Sequence, residues 1–216
     1  MSGRQIHQLG RQHNSTPPGL PNSNPTWRTF CAVELPESLR PLLRDHIQSL
    51  RVRFPQVSAS WSRAENIHLT MKFFGNVDKS RIEKLSTALQ CAAEKIRPFE
   101  IEVNGCGAFP PLGSPKVLWI GTTDKSGSLV GLQREIEDAS AAEGFPRDSR
   151  LFHPHLTIAR IRQRQGSRAL GDAHKAMQFK QTGMSVSEIV LFRSELSNNG
   201  SNYSVISRHR LSDTSS

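Results

Sequence analysis

Two short stretches of this chain place an imidazole and a hydroxyl two residues apart: His68-Leu69-Thr70-Met71 and His155-Leu156-Thr157-Ile158. Side chains alternate across a β-strand, so an extended backbone puts His68 and Thr70 on one face and leaves Ile67, Leu69, Met71 and Phe73 for the other. His155 and Thr157 oppose Leu156 and Ile158 in the same way. Phosphodiester cleavage needs one group to take a proton from the attacking oxygen and another to give one to the leaving oxygen, and imidazole does both near neutral pH. Two histidines are the minimal set. The hydroxyls of Thr70 and Thr157 suit the non-bridging oxygens of the phosphorane, provided the two strands face each other across a cleft.

A histidine alone in a sheet is ordinarily a satisfied structural residue. Recurrence of the pattern in an apolar strand of each half favours chemistry, because two buried imidazoles without hydrogen-bond partners are costly. The competing reading is a metal site, since His153-Pro154-His155 puts two imidazoles on one strand face. No third ligand sits at a useful spacing, so no metal is assigned. Between Ser149 and Gly171 there is no acidic residue, while Arg150, Arg160, Arg162, Arg164 and Arg168 all occur beside the second motif. Guanidinium grips phosphate bidentately. Strict alternation sends Arg160 to the face opposite His155, so a phosphate role for it requires a strand end or a β-bulge.

The elements that must carry these residues are legible from periodicity. Trp27–Leu35 alternates as a strand and stops at Pro36; residues Glu37–Arg53 space Leu39, Leu42, Leu43, Ile47 and Leu50 helically. A strand over Asn66–Gly75 holds the first motif. Asp78 predicts an N-cap for a helix reaching about Ile96. Strands over Phe99–Phe109 and Lys116–Thr122 flank a Pro/Gly-rich bend, and a helix over Ser126–Glu143 ends at Gly144. The second motif lies on a strand over His153–Arg160. A helical stretch over Gly166–Phe179 follows, then strands over Met184–Leu196 and Tyr203–Leu211 joined by a turn at Ser197-Asn198-Asn199-Gly200. Helices alternating with antiparallel strands in both halves predict an α+β protein of two similar lobes.

Composition bounds the rest. Twenty-eight Lys and Arg against 19 Asp and Glu give a net charge of +9, which favours a polyanionic partner such as nucleic acid or a phosphorylated metabolite. No apolar run is long enough to cross a bilayer, so a membrane role is not expected. Cys31, Cys91 and Cys106 are widely spaced and form no Cys-x-x-Cys pair, which argues against a disulfide framework and fits a reducing, cytoplasmic setting. Residues 1–25 have scattered Arg, many polar residues and no apolar core, so they read as a disordered lead without a secretory signal, leaving 26–212 as one folded unit.

With these residues in view, the chain resembles the two-histidine phosphoesterase superfamily, and within it the bacterial and archaeal RNA 2',3'-cyclic phosphodiesterase branch, historically called 2'-5' RNA ligases. The resemblance rests on Phe30-Cys31-Ala32-Val33-Glu34-Leu35-Pro36, Asn66 to Gly75, Val117-Leu118-Trp119-Ile120-Gly121, Phe152 to Arg160 and Leu191-Phe192-Arg193-Ser194-Glu195-Leu196, in order. It implies a bilobal, pseudo-twofold α+β fold with two antiparallel sheets facing across a cleft, helices outside, and no metal or organic cofactor. It further implies hydrolysis of RNA or nucleoside 2',3'-cyclic phosphate ends to 2'-phosphates by a monomer. His68 would be the proton donor and His155 the acceptor, with Thr70, Thr157 and Arg160 as phosphate contacts. The competing readings are 2'-5' ligation at the same site and a nucleotide- or RNA-binding module without turnover.

Overall fold

The computed structural model describes residues 25–197 and 200–212; residues 1–24 of the expected lead and the turn residues Asn198 and Asn199 lie outside the described residues. The elements run β1 (Thr26–Glu34), α1 (Leu39–Arg53), β2 (Ala59–Trp61), β3 (His68–Asp78), α2 (Ile82–Ala93), β4 (Phe99–Phe109), β5 (Val117–Thr123), α3 (Ser128–Ala142), β6 (His155–Ile161), α4 (Ser167–Met177), β7 (Thr182–Val186), β8 (Glu188–Ser197) and β9 (Gly200–Arg210). They build a four-stranded sheet in the order β3-β1-β8-β9 and a five-stranded sheet in the order β2-β6-β5-β4-β7, all pairs antiparallel. This is the expected α+β architecture. The two sheets define a first and a second lobe.

Chain order within the lobes repeats. A strand, a helix, a motif strand and a second helix occur as β1-α1-β3-α2 and again as β5-α3-β6-α4. The intervening helix of each repeat crosses over: α3 packs beside α2 and against β3 of the first sheet, whereas α1 packs beside α4, which covers β4 of the second. Each sheet is therefore roofed by helices from both repeats. α1 buries Leu39, Leu43, His46, Ile47 and Leu50, the stripe that its 3.6-residue period dictates.

Three local expectations change. The run from Met184 to Leu196 is not one strand but two, β7 and β8, in different sheets; the break falls at Ser187, whose carbonyl accepts from the Leu211 amide at 2.8 Å. The helix after Asp78 starts later, at Ile82: the Asp78 carboxylate accepts from the Ser80 amide at 2.9 Å, capping a 3-10 turn that precedes α2. Edge strand β2, three residues long, has too short an alternation to be read from sequence.

Both motif strands are bulged, and at the same place. Thr70 pairs with Ala32 and Lys72 with Cys31, so Met71 is the extra residue in β3; Thr157 pairs with Trp119 and Ala159 with Leu118, so Ile158 is the extra residue in β6. A bulge inverts the alternation beyond it. Lys72, 3% exposed, thus turns into the core and Phe73, 49% exposed, turns out onto the face of His68 and Thr70. The expectation that Phe73 joins Leu69 and Met71 on the apolar face is corrected by this. In β6 the same inversion buries Ala159 and brings Arg160 round to the face of His155, which meets the condition set by its sequence position.

Candidate active site

The outward faces of β3 and β6 share one cleft of about 520 Å³ whose walls include His68, Thr70, His155, Thr157 and Arg160. All five residues singled out by sequence are thus brought together. Each imidazole is fixed in the same way: Nδ1–H of His68 donates to the Asn66 carbonyl at 2.8 Å, and Nδ1–H of His155 donates to the His153 carbonyl at 2.7 Å. A carbonyl only accepts, so Nδ1 carries the proton in both rings and Nε2 is the nitrogen left for the cleft. Asn66 is anchored in turn, its side-chain amide donating to the Ser201 carbonyl on β9 at 3.1 Å. Ser62, leading out of β2, donates its hydroxyl to the Thr157 carbonyl at 2.8 Å and so continues the β2–β6 pairing of the second sheet at the motif itself.

Both rings rest on aromatic surroundings. His68 stacks on Phe30 at 4.6 Å between centroids and meets Tyr203 edge-on at 5.2 Å. Phe30, Ala32, Val190 and Phe192 form a small apolar floor on the cleft side of the first sheet, separate from the main core behind it. His155 meets Phe109 edge-on at 5.2 Å and lies 6.2 Å from Trp119. Trp119 sits over Gly107, where a Cβ would fall 2.1 Å from the indole, so only glycine fits beneath it. Burial in this setting lowers the pKa of His68, opposed by its carbonyl hydrogen bond and by the charge of Glu34. Burial likewise lowers that of His155, opposed by its carbonyl bond, with His153 and Arg160 adding to the fall.

The basic segment divides. Arg150 and Arg160 line the cleft with Arg28 of β1, whereas Arg162 donates to the Ser60 hydroxyl at 2.7 Å, and Arg164 and Arg168 are not among the lining residues. Arg150 is held by Asp148 through two bonds of 2.9 and 2.6 Å, and that bridge lowers the Asp148 pKa to about 2. Arg28, Ser62 and Tyr203 escaped the sequence reading because β1, the end of β2 and β9 come to the cleft through sheet pairing over long separations, and Asn66, beside the first motif, carried no assigned role.

Among the described residues the metal alternative at His153 and His155 finds no third ligand, and the one cluster of three candidate ligands is elsewhere: His46 on α1, Cys106 on β4 and His174 on α4, with ligand atoms within 4.8 Å of one another. Its imidazoles already satisfy each other, Nε2 of His46 lying 3.0 Å from Nδ1 of His174, whose Nε2–H donates to the Trp119 carbonyl at 2.9 Å. That network is a hydrogen-bonded joint between the two helices of the second lobe. Burial, reinforced by His174, lowers the His46 pKa to about 4, so the joint is neutral at physiological pH.

Two facing antiparallel sheets that each present a His-x-Thr pair to one cleft define the architecture of a two-histidine phosphoesterase. Residues 39–198 match the 2'-5' RNA ligase superfamily, and the chain belongs to that family. It is 31% identical over 187 residues to an RNA 2',3'-cyclic phosphodiesterase of Methanothermobacter thermautotrophicus, covering 85% of this chain and 98% of that protein. It is 30% identical over 154 residues to a protein of the same name from Aquifex aeolicus, covering 70% and 81%. In fold it is similar to a solved protein of Thermus thermophilus, with a TM-score of 0.70 and 23% identity over 87% of this chain and 100% of the other. Among the described residues no helix is long and apolar enough to cross a membrane.

Proposed function

We propose that residues 26–212 act as one bilobal unit that hydrolyses RNA and nucleoside 2',3'-cyclic phosphate ends to 2'-phosphates. The carrying observation is that both imidazoles spend Nδ1–H on a carbonyl two residues earlier and so keep Nε2 for the same cleft. The names of the relatives at about 30% identity support the substrate class.

In this reaction Nε2 of neutral His155 takes a proton from water, whose oxygen attacks phosphorus. The P–O3' bond breaks, and the departing 3'-oxygen takes the proton held on Nε2 of His68. Thr70 and Thr157 donate to the non-bridging oxygens, and Arg160, turned inward by the bulge at Ile158, carries the compensating charge. His155 is assigned the base because Arg160 disfavours its cationic form, whereas Glu34 favours that of His68. The reaction as drawn uses only these groups, so it proceeds without metal, and we place it in the reducing cytoplasm with the protein as a monomer.

Incubation with nucleoside 2',3'-cyclic phosphates and a matching oligoribonucleotide end, in EDTA, is the test. Formation of the 2'-phosphate supports the proposal. A 3'-phosphate product, or loss of turnover restored by zinc, would overturn it.

A further inference from the structure

His46, Cys106 and His174, which join α1, β4 and α4, do not line the catalytic cleft, yet their ligand atoms lie within 4.8 Å of one another. His174 is fully buried and His46 is 7% exposed, so water competes little for either imidazole. Nε2–H of His174 donates to the Trp119 carbonyl at 2.9 Å, which fixes the tautomer and leaves the lone pair of Nδ1 toward His46. A carbonyl behind the far nitrogen is the usual outer support of a metal-bound histidine. The sulfur of Cys106 has support as well. Burial raises its pKa to about 11, and a hydrogen bond from the Phe179 backbone N–H opposes that rise by favouring the thiolate. Gln178, immediately before Phe179, is the only non-glycine with positive φ among the described residues, at 50°. That conformation costs energy in a residue with a Cβ and persists where its surroundings hold it.

We propose that His46, Cys106 and His174 form a zinc site that clasps α1 and α4 to β4, with water in the fourth position. Two imidazoles and a thiolate are donors that zinc takes and that oxygen-seeking magnesium and calcium do not. In a tetrahedral site, bonds of roughly 2.0–2.1 Å to nitrogen and 2.3 Å to sulfur set the ligand atoms about 3.3–3.6 Å apart. The facing nitrogens are 3.0 Å apart and the triangle spans no more than 4.8 Å. Seating the ion therefore needs displacements of only about 1 Å. Nε2 of His46 ligates after its proton moves to Nδ1, and Cys106 releases its thiol proton to solvent. Three coordinate bonds thus replace one hydrogen bond between neutral rings. Entry is open on the Cys106 side, through a surface pocket of about 770 Å³ that Cys106 and Phe179 help to line. Without metal the hydrogen-bonded joint holds the same elements, so zinc adds stability and takes no part in the reaction at the cleft.

The test uses the full chain, stripped with EDTA and dialysed, then titrated with Zn²⁺ and, as a spectroscopic probe, with Co²⁺. One zinc should bind per chain. With zinc a hundredfold above its Kd, Tm should rise by about 5–10 °C. Co²⁺ should give a sulfur-to-metal charge-transfer band and the spectrum of a four-coordinate ion. Cys106→Ser, which preserves side-chain size, should remove that band and weaken zinc binding by at least about tenfold. His46→Gln should weaken it similarly from the α1 side, while Cys91→Ser and His153→Ala should leave it unchanged. Failure to retain one equivalent of zinc, or binding and cobalt spectra that neither Cys106→Ser nor His46→Gln alters, would overturn the site. These readouts do not depend on turnover at the cleft.

Discussion

Lys72 and Glu137 meet as a buried ion pair behind the first sheet, and Lys72 reaches it because the bulge at Met71 turns it inward two residues after Thr70. The same ammonium donates to the Pro146 carbonyl at 2.8 Å, and the same carboxylate accepts from the Asp148 amide at 3.3 Å. The pair therefore holds β3, α3 and the loop that carries Arg150. Lys72→Met strands the Glu137 charge and should cost about 3–5 kcal/mol, whereas Lys72→Met combined with Glu137→Leu should recover most of it. Denaturant unfolding of both variants measures this; equal loss in the two would mean that the pair matters for packing rather than charge.

Either His68→Ala or His155→Ala should lower turnover by about 10²–10⁴-fold, the range of a positioned acid or base. The roles separate with a substrate bearing a 3'-thiolate leaving group, which needs little protonation and should rescue His68→Ala alone. Rescue of His155→Ala alone would reverse the two assignments.

The pH dependence follows from the shared direction of the two shifts. One ring must be protonated and the other neutral, so kcat/KM is bell-shaped and peaks between the two pKa values of the free enzyme. Burial lowers both below the ordinary imidazole value, so activity should peak on the acid side of about pH 6.5 and fall on its alkaline limb as the acid loses its proton. A rate profile in kcat/KM that peaks above pH 7 would contradict this.

Only arginines that face the cleft should govern how salt affects binding. Arg160→Ala should reduce the slope of log K against log salt for an RNA end by about one, through loss of one phosphate contact. The double change Arg162→Ala/Arg164→Ala should leave it unaltered, because neither side chain lines the cleft. Titration of a labelled oligoribonucleotide at several salt concentrations distinguishes the two; a slope that follows Arg162 and Arg164 would relocate the RNA path.

The cleft-facing pattern was legible in the sequence because alternation along two or three residues needs no tertiary knowledge, and His68, Thr70, His155 and Thr157 lie before their bulges. Phe73 was not, because a template of unbroken alternation assigns it to the core; Arg160 signalled a bulge only because a phosphate role required it to share the face of His155. The strand over Met184–Leu196 was read as continuous since nothing in its apolar pattern marks a change of sheet at Ser187. His46 and His174 each look like an isolated helical histidine, and their bond spans 128 residues. Pairing at such separations is set by helix exchange between the lobes, which no local period encodes.

That exchange has a consequence for the molecule's divisibility. Although the chain repeats itself, neither half is a self-sufficient piece: the segment β1-α1-β3-α2 lacks α3, which covers its own motif strand, and it carries α1, whose helix partner α4 belongs to the other half. The chain also passes between sheets four times, so a nick in the bend around Gly113 would give two fragments that each own strands of both sheets. Such fragments are mutual templates. They would be expected to regain the cleft only when combined, each supplying one histidine, so that activity would report their encounter.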